Sequence, residues 1–227
     1  MRLFHEFAEL ASTNTYLAEN YRRFEPPVFI RAVRQTAGRG RLERSWFSGT
    51  GGENLAMSAL LRIKTENPAL IPIVAGNAVF TALSRYARLQ IKWPNDIYAD
   101  GRKLGGILSE RITSEKNLFV IGVGINANTT EFPADIASTA ASLRGITGHE
   151  FNLRALWVQL ARALVAGFRT PVERLPADFI RNYNAHAWRY ILRREISSEP
   201  LEFATLLEDG RAQFQGPAGP VILDMAD

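Results

Sequence analysis

A chain of 227 residues with 46% hydrophobic and 22% charged residues is ordinary globular material, long enough for one sizeable α/β core and a small appendage. It has no cysteine, which excludes disulfides and thiolate metal sites and fits a cytoplasmic location; no apolar run reaches the roughly 18 residues of a membrane span, and the start Met1-Arg2-Leu3-Phe4 lacks a secretory h-region. The formal charge of +4 rests on 27 basic residues, nearly all Arg, spread without a like-charge block, which argues against a nucleic-acid-binding face.

Ser12-Thr13-Asn14-Thr15 reads as a helix start whose hydroxyls cap the first free amides, and Pro26-Pro27 closes that segment. Val28, Ile30 and Ala32 then alternate as in a strand. Residues 35–52 are rich in Gly, Arg and Ser, too polar to pack and too long for a simple turn. Residues 54–63 form a second strand with Leu55, Met57, Ala59 and Leu61 on one face. Pro68 stands near the first turn of a helix expected to run to about residue 87. From 89 to 126 the pattern is all β. Asp100-Gly101 marks a hairpin between Ile97-Tyr98 and residues 104–108, and 118–125 is a continuous apolar strand. Two helices follow, over about 153–167 and 172–188. Short strands come after Tyr190, with turns at Asp209-Gly210 and Gly216-Pro217. The expected fold class is α+β, a mixed sheet packed against helices (1–188) with a small β appendage (189–227).

Four stretches carry groups that could do chemistry. In Gln35-Thr36-Ala37-Gly38-Arg39-Gly40-Arg41, with Arg44 and Trp46 beyond, the glycines let backbone amides approach an anion and the arginines bring planar forks. Taken alone, such a loop reads more readily as a solvated basic surface. Lys92-Trp93-Pro94-Asn95-Asp96 is a strand end followed by an ordinary polar turn, although two of the chain's few lysines, Lys92 and Lys103, belong to this hairpin. Lys103-Leu104-Gly105-Gly106 places a cation beside close-approach glycines, or a solubilising Lys at a strand edge. Gly122-Val123-Gly124-Ile125-Asn126 strips one strand face of side chains, which makes room for a flat ligand or simply bends a sheet. The loop is neither a Walker A motif nor a dinucleotide fingerprint, and His5, His149 and His186 lack partners at metal-ligand spacing.

In their order and spacing, Ser12-Thr13-Asn14, the Gln35 to Trp46 loop, Lys92 to Asp96, Lys103 to Leu108 and Gly122 to Asn126 together closely resemble the biotin–protein ligases. That resemblance implies a mixed sheet backed by helices, of the class II synthetase-like kind, followed by a small SH3-like β domain. It implies that biotin is activated by ATP as biotinyl-5′-AMP and passed to a lysine of a biotin carboxyl carrier protein, the carrier domain of acetyl-CoA carboxylase. Ser12, Thr13, Asn14 and Gln35 would surround the ureido ring, and Gly106 and Gly122 would line the biotin slot. Gly38, Arg39, Gly40 and Arg41 would fold over biotin and the α-phosphate, with Lys103 bridging carboxylate and phosphate. Trp46 and Asn126 would hold adenine, and Lys92, Asn95 and Asp96 would support the site. Arg39, Arg41 and Lys103 are thus the expected catalytic cations, and Mg2+ is expected on the ATP phosphates without a protein-only metal site. The chain departs from the family pattern at Leu42, where a basic residue is common, and at Glu43, where Gly is common. It has no room before Ser12 for a winged-helix domain, and residues 189–227 are short for the usual barrel. No nucleic-acid or membrane partner is expected, and the chain would act as a monomer or homodimer. A lipoate or octanoate ligase, or a biotin-binding protein with a decayed site, are the competing readings.

Overall fold

The alternating residues of 55–61 meet apolar layers on both faces. In the computed structural model, which describes residues 3–49, 51–192 and 200–225, β3 (Leu55–Arg62) is buried continuously from Leu55 to Leu61. With β1 (Phe4–Leu10), β2 (Val28–Gln35), β4 (Gln90–Lys92), β5 (Asp96–Ala99), β6 (Arg102–Arg111) and β7 (Leu118–Ile125) it forms a seven-stranded sheet of order β1-β2-β3-β7-β6-β5-β4. β1 and β2 run parallel and the remaining pairs are antiparallel, so the mixed α+β sheet expected from the sequence is what forms.

The period of two decides which face each residue serves. Met57, Ala59 and Leu61 of β3 and Phe119, Ile121 and Val123 of β7 join one core with α2 (Leu70–Leu83) and α4 (Leu153–Gly167). On the opposite face, Leu60, Leu118 and Val120 pack with Leu17 of α1 (Thr13–Asn20), as do Val28 and Ile30. Continuing along that face, β7 carries only Gly122 and Gly124, which pair across to Ser58 and Ala56 on one side and to Leu108 and Gly106 on the other. Where α1 ends its cover, the sheet therefore presents bare backbone and small side chains. This is the floor of the site.

Two helices are shorter than their sequence patterns suggest. α2 begins at Leu70 because the carbonyls of Asn67 and Pro68 accept from the amides of Leu70 and Ile71 (3.2 and 3.1 Å) in a tighter entry turn. The helix expected from 172 starts only at Ala177, as α5 (Ala177–His186). Before it, the Val172 amide donates to the Lys64 carbonyl (3.0 Å) and that of Leu175 to the Glu208 carbonyl (2.8 Å), which ties the chain in a non-helical course, bent at Glu173 and Arg174, until Pro176 opens the helix. The short α3 (Leu143–Thr147), between a Ser142 cap and Gly148 at φ 75°, carried no periodic signal. α4 matches its pattern, with the Asn152 side chain accepting from the amides of Arg154 and Ala155 (both 3.0 Å).

The tail builds a four-stranded antiparallel sheet, β8 (Ile191–Leu192), β9 (Leu201–Leu206), β10 (Ala212–Gly216) and β11 (Gly219–Leu223), in the order β11-β10-β9-β8. It seats on the Lys92–Asp96 stretch. The Trp93 indole donates to the Gly210 carbonyl (3.0 Å), the Tyr190 hydroxyl donates to the Trp93 carbonyl (3.1 Å), and Phe214 meets Trp93, Tyr190 and Phe203 edge-on at 6.0, 5.8 and 5.6 Å. Phe214 is fully buried, so Phe214→Ala is expected to lower stability by about 3–5 kcal/mol, read as a fall in Tm by calorimetry. A fall under 1 °C would show that this aromatic seat is dispensable.

Candidate active site

Two adjoining cavities lie over the bare face, of about 390 and 500 Å3, each in the range of small-molecule sites. The first is walled by Ser12, Thr13 and Asn14, by Gln35 and the Arg39–Trp46 loop, by Lys92 to Asp96, and by Lys103, with Gly106 and Gly122 in its floor. The second takes in Gly38, Phe47, Ser48, Asn126, Ile136 and Ala140. They share Gln35, Ser45, Trp46 and Lys103. All sixteen residues picked from the sequence thus fall on one pair of connected cavities.

At the inner end of the first cavity the polar groups form a chain with fixed directions. The Gln35 side-chain carbonyl accepts from the Thr13 amide and hydroxyl (2.8 and 3.1 Å), and its Nε2 donates to the Ser48 hydroxyl (3.0 Å). The Ser58 hydroxyl lies 2.8 Å from Thr13 Oγ1 and 2.6 Å from Asn14 Oδ1. Asn14 Nδ2 donates to the Leu108 carbonyl (3.1 Å) and to Glu110 (2.7 Å). Ser12, Thr13, Asn14 and Ser58 are all buried, so a ligand entering here meets oriented dipoles without wet competition.

The glycines hold the space open. A Cβ at Gly122 would come within 2.2 Å of Asn14 Oδ1, and one at Gly124 within 2.4 Å of the Trp46 ring. The indole therefore lies against the backbone of Gly124, where the Gly-x-Gly strand leaves room for it. Lys103 Nζ stands 5.6 Å from that ring and 2.8 Å from Asp96 Oδ1. The Lys103 backbone is itself clamped: its amide donates to the Thr139 carbonyl (2.7 Å), and its carbonyl accepts from the Ala141 amide (2.9 Å) and Asn126 Nδ2 (3.4 Å). Trp46 and Lys103 thus stand at the junction of the two cavities.

Cations converge on the same place. Arg41 Nη1 donates to Asn95 Oδ1 (3.3 Å) and Nη2 to the Met225 carbonyl, so the end of the tail reaches the site. Burial pulls the Arg41 pKa down, against the attraction of Asp96; an arginine keeps its charge nonetheless. Asn95 is fixed by donating Nδ2 to the Ile107 carbonyl (2.6 Å). Lys92 sits in an aromatic cage, 4.7 Å from the Tyr190 ring, 5.3 Å from Trp188 and 5.4 Å from Tyr98. Burial lowers its pKa, Asp96 opposes that, and Lys103 and Arg44 add to it. The Tyr98 hydroxyl is pushed up to about 12, by burial first and Asp96 second. Arg39 is used differently: Nη1 donates to Thr15 Oγ1 (3.2 Å) and Nη2 pairs with Glu110 Oε1 (3.0 Å). At the loop tip Leu42 adopts φ 52°, ψ 41° and is 78% exposed, a left-handed conformation that costs a bulky residue about 1–2 kcal/mol. The Glu43 side chain lies outside the described residues.

Sequence reasoning overlooked Ser58, Glu110 and Tyr190. Ser58 and Glu110 show themselves only when strand register places them beside Asn14, and Tyr190 only when the tail folds back. Arg44 and Gly124 stood inside the quoted motifs without being given a role. Among the described residues no group of three or more His, Cys, Asp and Glu side chains is placed to hold a metal ion, and no helix is long and apolar enough to cross a membrane.

Residues 6–128 match the biotin/lipoate A/B protein ligase family. The bifunctional ligase/repressor BirA of Bacillus spizizenii is 37% identical over 133 residues, 55% of this chain and 41% of that protein, so the chain spans less than half the length of that relative. The biotin–[acetyl-CoA-carboxylase] ligase of Paracoccus denitrificans is 31% identical over 216 residues, covering 88% of this chain and 89% of its own. Among solved structures, the biotin protein ligase of Aquifex aeolicus in complex with biotin and ATP superposes with a TM-score of 0.81 at 26% identity, over 98% of this chain and 96% of that one. With the motif set assembled on one pair of cavities and these matches in hand, the chain belongs to the biotin/lipoate A/B protein ligase family.

Proposed function

We propose that the protein is an ATP-dependent biotin–protein ligase. The observation that carries this reading is the pair of cavities meeting at Lys103 and Trp46, one ending in directed hydrogen-bonding groups and the other opening beside Asn126. Biotin takes the first cavity, ureido ring towards Thr13, Asn14, Ser58 and Gln35, and its carboxylate reaches Lys103. ATP takes the second, adenine against Trp46, with its α-phosphate at the junction. A carboxylate oxygen attacks the α-phosphorus, the bond to the bridging oxygen of the β-phosphate breaks, and diphosphate leaves. Two anions must meet in this step. Lys103 and Arg41 offset their repulsion and stabilise the charge growing on the phosphoryl oxygens. In the second step a neutral carrier lysine attacks the acyl carbon, loses a proton, and AMP departs. The acceptor is the carrier domain of acetyl-CoA carboxylase. Among the described residues no group of three or more His, Cys, Asp and Glu is placed to hold a metal ion, so Mg2+ would be brought by the nucleotide phosphates, whose charge it would offset.

Incubation with ATP, Mg2+ and biotin followed by mass spectrometry tests the reading. Biotinyl-adenylate is the expected product, and its absence overturns the assignment. Biotin binding without diphosphate release would mark a decayed site. The polar inner end favours biotin over lipoate, whose dithiolane has neither N–H nor C=O to engage those groups; calorimetric titration with each separates them.

Lys92, Arg41, Arg44 and Lys103 line the first cavity against the carboxylates of Asp96 and Asp224 and leave it an excess of positive charge, suited to the departing diphosphate. Lys92→Met keeps the length and the aromatic contacts while removing the charge. Product inhibition by free diphosphate is expected to weaken about tenfold, with stability changed by no more than ~1 kcal/mol because a desolvated cation contributes little net. Unchanged inhibition would place diphosphate elsewhere.

A further inference from the structure

Glu110 belongs to none of the sequence motifs, yet its carboxylate joins two of them. It lies on the site face of β6, opposite Val120 and next on that face after Leu108. One oxygen accepts from Asn14 Nδ2 at 2.7 Å, and the other pairs with Arg39 Nη2 at 3.0 Å. Arg39 Nη1 in turn reaches Thr15 Oγ1 at 3.2 Å, so the guanidinium spans from β6 to α1 across the edge of the cavity. Asn14 has its Oδ1 taken by Ser58 at 2.6 Å, which fixes the amide with Nδ2 towards Glu110.

We propose that Glu110 is a positioning residue that clasps the Gly-Arg loop shut over the biotin slot, by holding Arg39 while it orients Asn14. The inference rests on the ligase reading for its consequence but not for its geometry. A loop with two arginines at an anion site has two uses for them. Arg41 is turned inward to Asn95 and the tail, whereas Arg39 is committed to Glu110 and Thr15. The clasp therefore holds the loop without drawing on the inward cation. Because Glu110 also holds Asn14, loop closure and the ordering of the inner end share one carboxylate. The pair is partly wet, with side-chain exposures of 47% for Arg39 and 28% for Glu110, so its contribution to global stability is small. Its effect appears as retention of the intermediate.

Glu110→Ala and Arg39→Ala are each expected to speed loss of biotinyl-adenylate from the enzyme about fivefold, with little change in Tm, and the double variant to be no faster than the quicker single one. Rising salt should speed the loss more steeply from the wild type than from Glu110→Ala, because only the wild type has the Arg39–Glu110 pair to screen in addition to the contacts of the cations with the adenylate. Glu110→Gln, which keeps an acceptor oxygen but no charge, should raise the KM for biotin less than Glu110→Ala does. Adenylate retained at the wild-type rate by Glu110→Ala, or rates that multiply in the double variant, would overturn the clasp. Limited trypsin digestion of the ligand-free protein reads the same contact without any ligase chemistry. Cleavage after Arg41 and Arg44 should quicken in Glu110→Ala, and equal cleavage would overturn the proposal even if the ligase reading stands.

Discussion

Lys103→Ala is expected to lower the rate of biotin-dependent diphosphate release about a hundred- to a thousandfold, the usual consequence of losing one donor aimed at developing phosphoryl or acyl charge. Lys103 is the cation shared by both cavities. Its backbone is held at both amide and carbonyl by Thr139, Ala141 and Asn126, and its ammonium is 2.8 Å from Asp96. Such a group is in place before the reaction starts, so its charge costs no reorganisation when the carboxylate and phosphate meet. Biotin binding should suffer far less than turnover, because the inner end with Thr13, Asn14 and Ser58 remains. Lys103→Arg should rescue poorly. The Lys103 ammonium is fitted to Asp96 at 2.8 Å, and a planar guanidinium needs more room than a compact ammonium and would present its charge in a different geometry. A stopped-flow assay of diphosphate release settles the matter; a loss under fivefold in Lys103→Ala would remove Lys103 from the reacting centre.

That the motifs would converge was legible because each pairs a special residue type with a backbone need. Gly122 and Gly124 share a strand face with Leu118 and Val120, and the period of two alone says that this face loses its side chains at the strand's end. The hairpin at Asp100-Gly101 was equally plain: Asp100 and Gly101 both take positive φ, 49° and 72°, the geometry such a dipeptide favours. The late start of α5 was not legible. Residues 172–176 are held out of the helix by the Lys64 carbonyl and by the carbonyl of Glu208 in the tail, partners too distant in sequence for a local pattern to show. The partners of the charged residues were hidden for the same reason. Arg39 and Arg41 look interchangeable in Gly38-Arg39-Gly40-Arg41, and only strand register and the returning tail give one to Glu110 and the other to Asn95 and Met225. The tail, brief as it is, closes four strands on Trp93 and brings Tyr190 over Lys92, so its length was a poor guide to whether it reaches the site.

Gly122→Ala and Gly124→Ala differ from the wild type by one methyl each, yet they should fail in different ways. At Gly122 the new Cβ would lie 2.2 Å from Asn14 Oδ1, an atom already fixed by Ser58 at 2.6 Å. The start of α1 must retreat, and the hydrogen-bond chain of the inner end breaks. Losing one or two buried hydrogen bonds at about 1–3 kcal/mol each predicts a fall in biotin affinity of about a hundredfold. At Gly124 the Cβ would lie 2.4 Å from Cε2 of the Trp46 indole, which must leave its bed against the strand while Thr13, Asn14 and Ser58 stay in place. ATP affinity should then fall by about tenfold or more, as expected when an aromatic stacking surface is lost, and biotin affinity by less. Calorimetric titration of each variant with biotin alone and with ATP alone gives four numbers. The expected pattern is crossed, with biotin lost in Gly122→Ala and ATP in Gly124→Ala. The opposite crossing would exchange the occupants of the two cavities. Equal losses of both ligands in both variants would mean that the floor acts as one unit, and that Lys103 and Trp46 do not divide it.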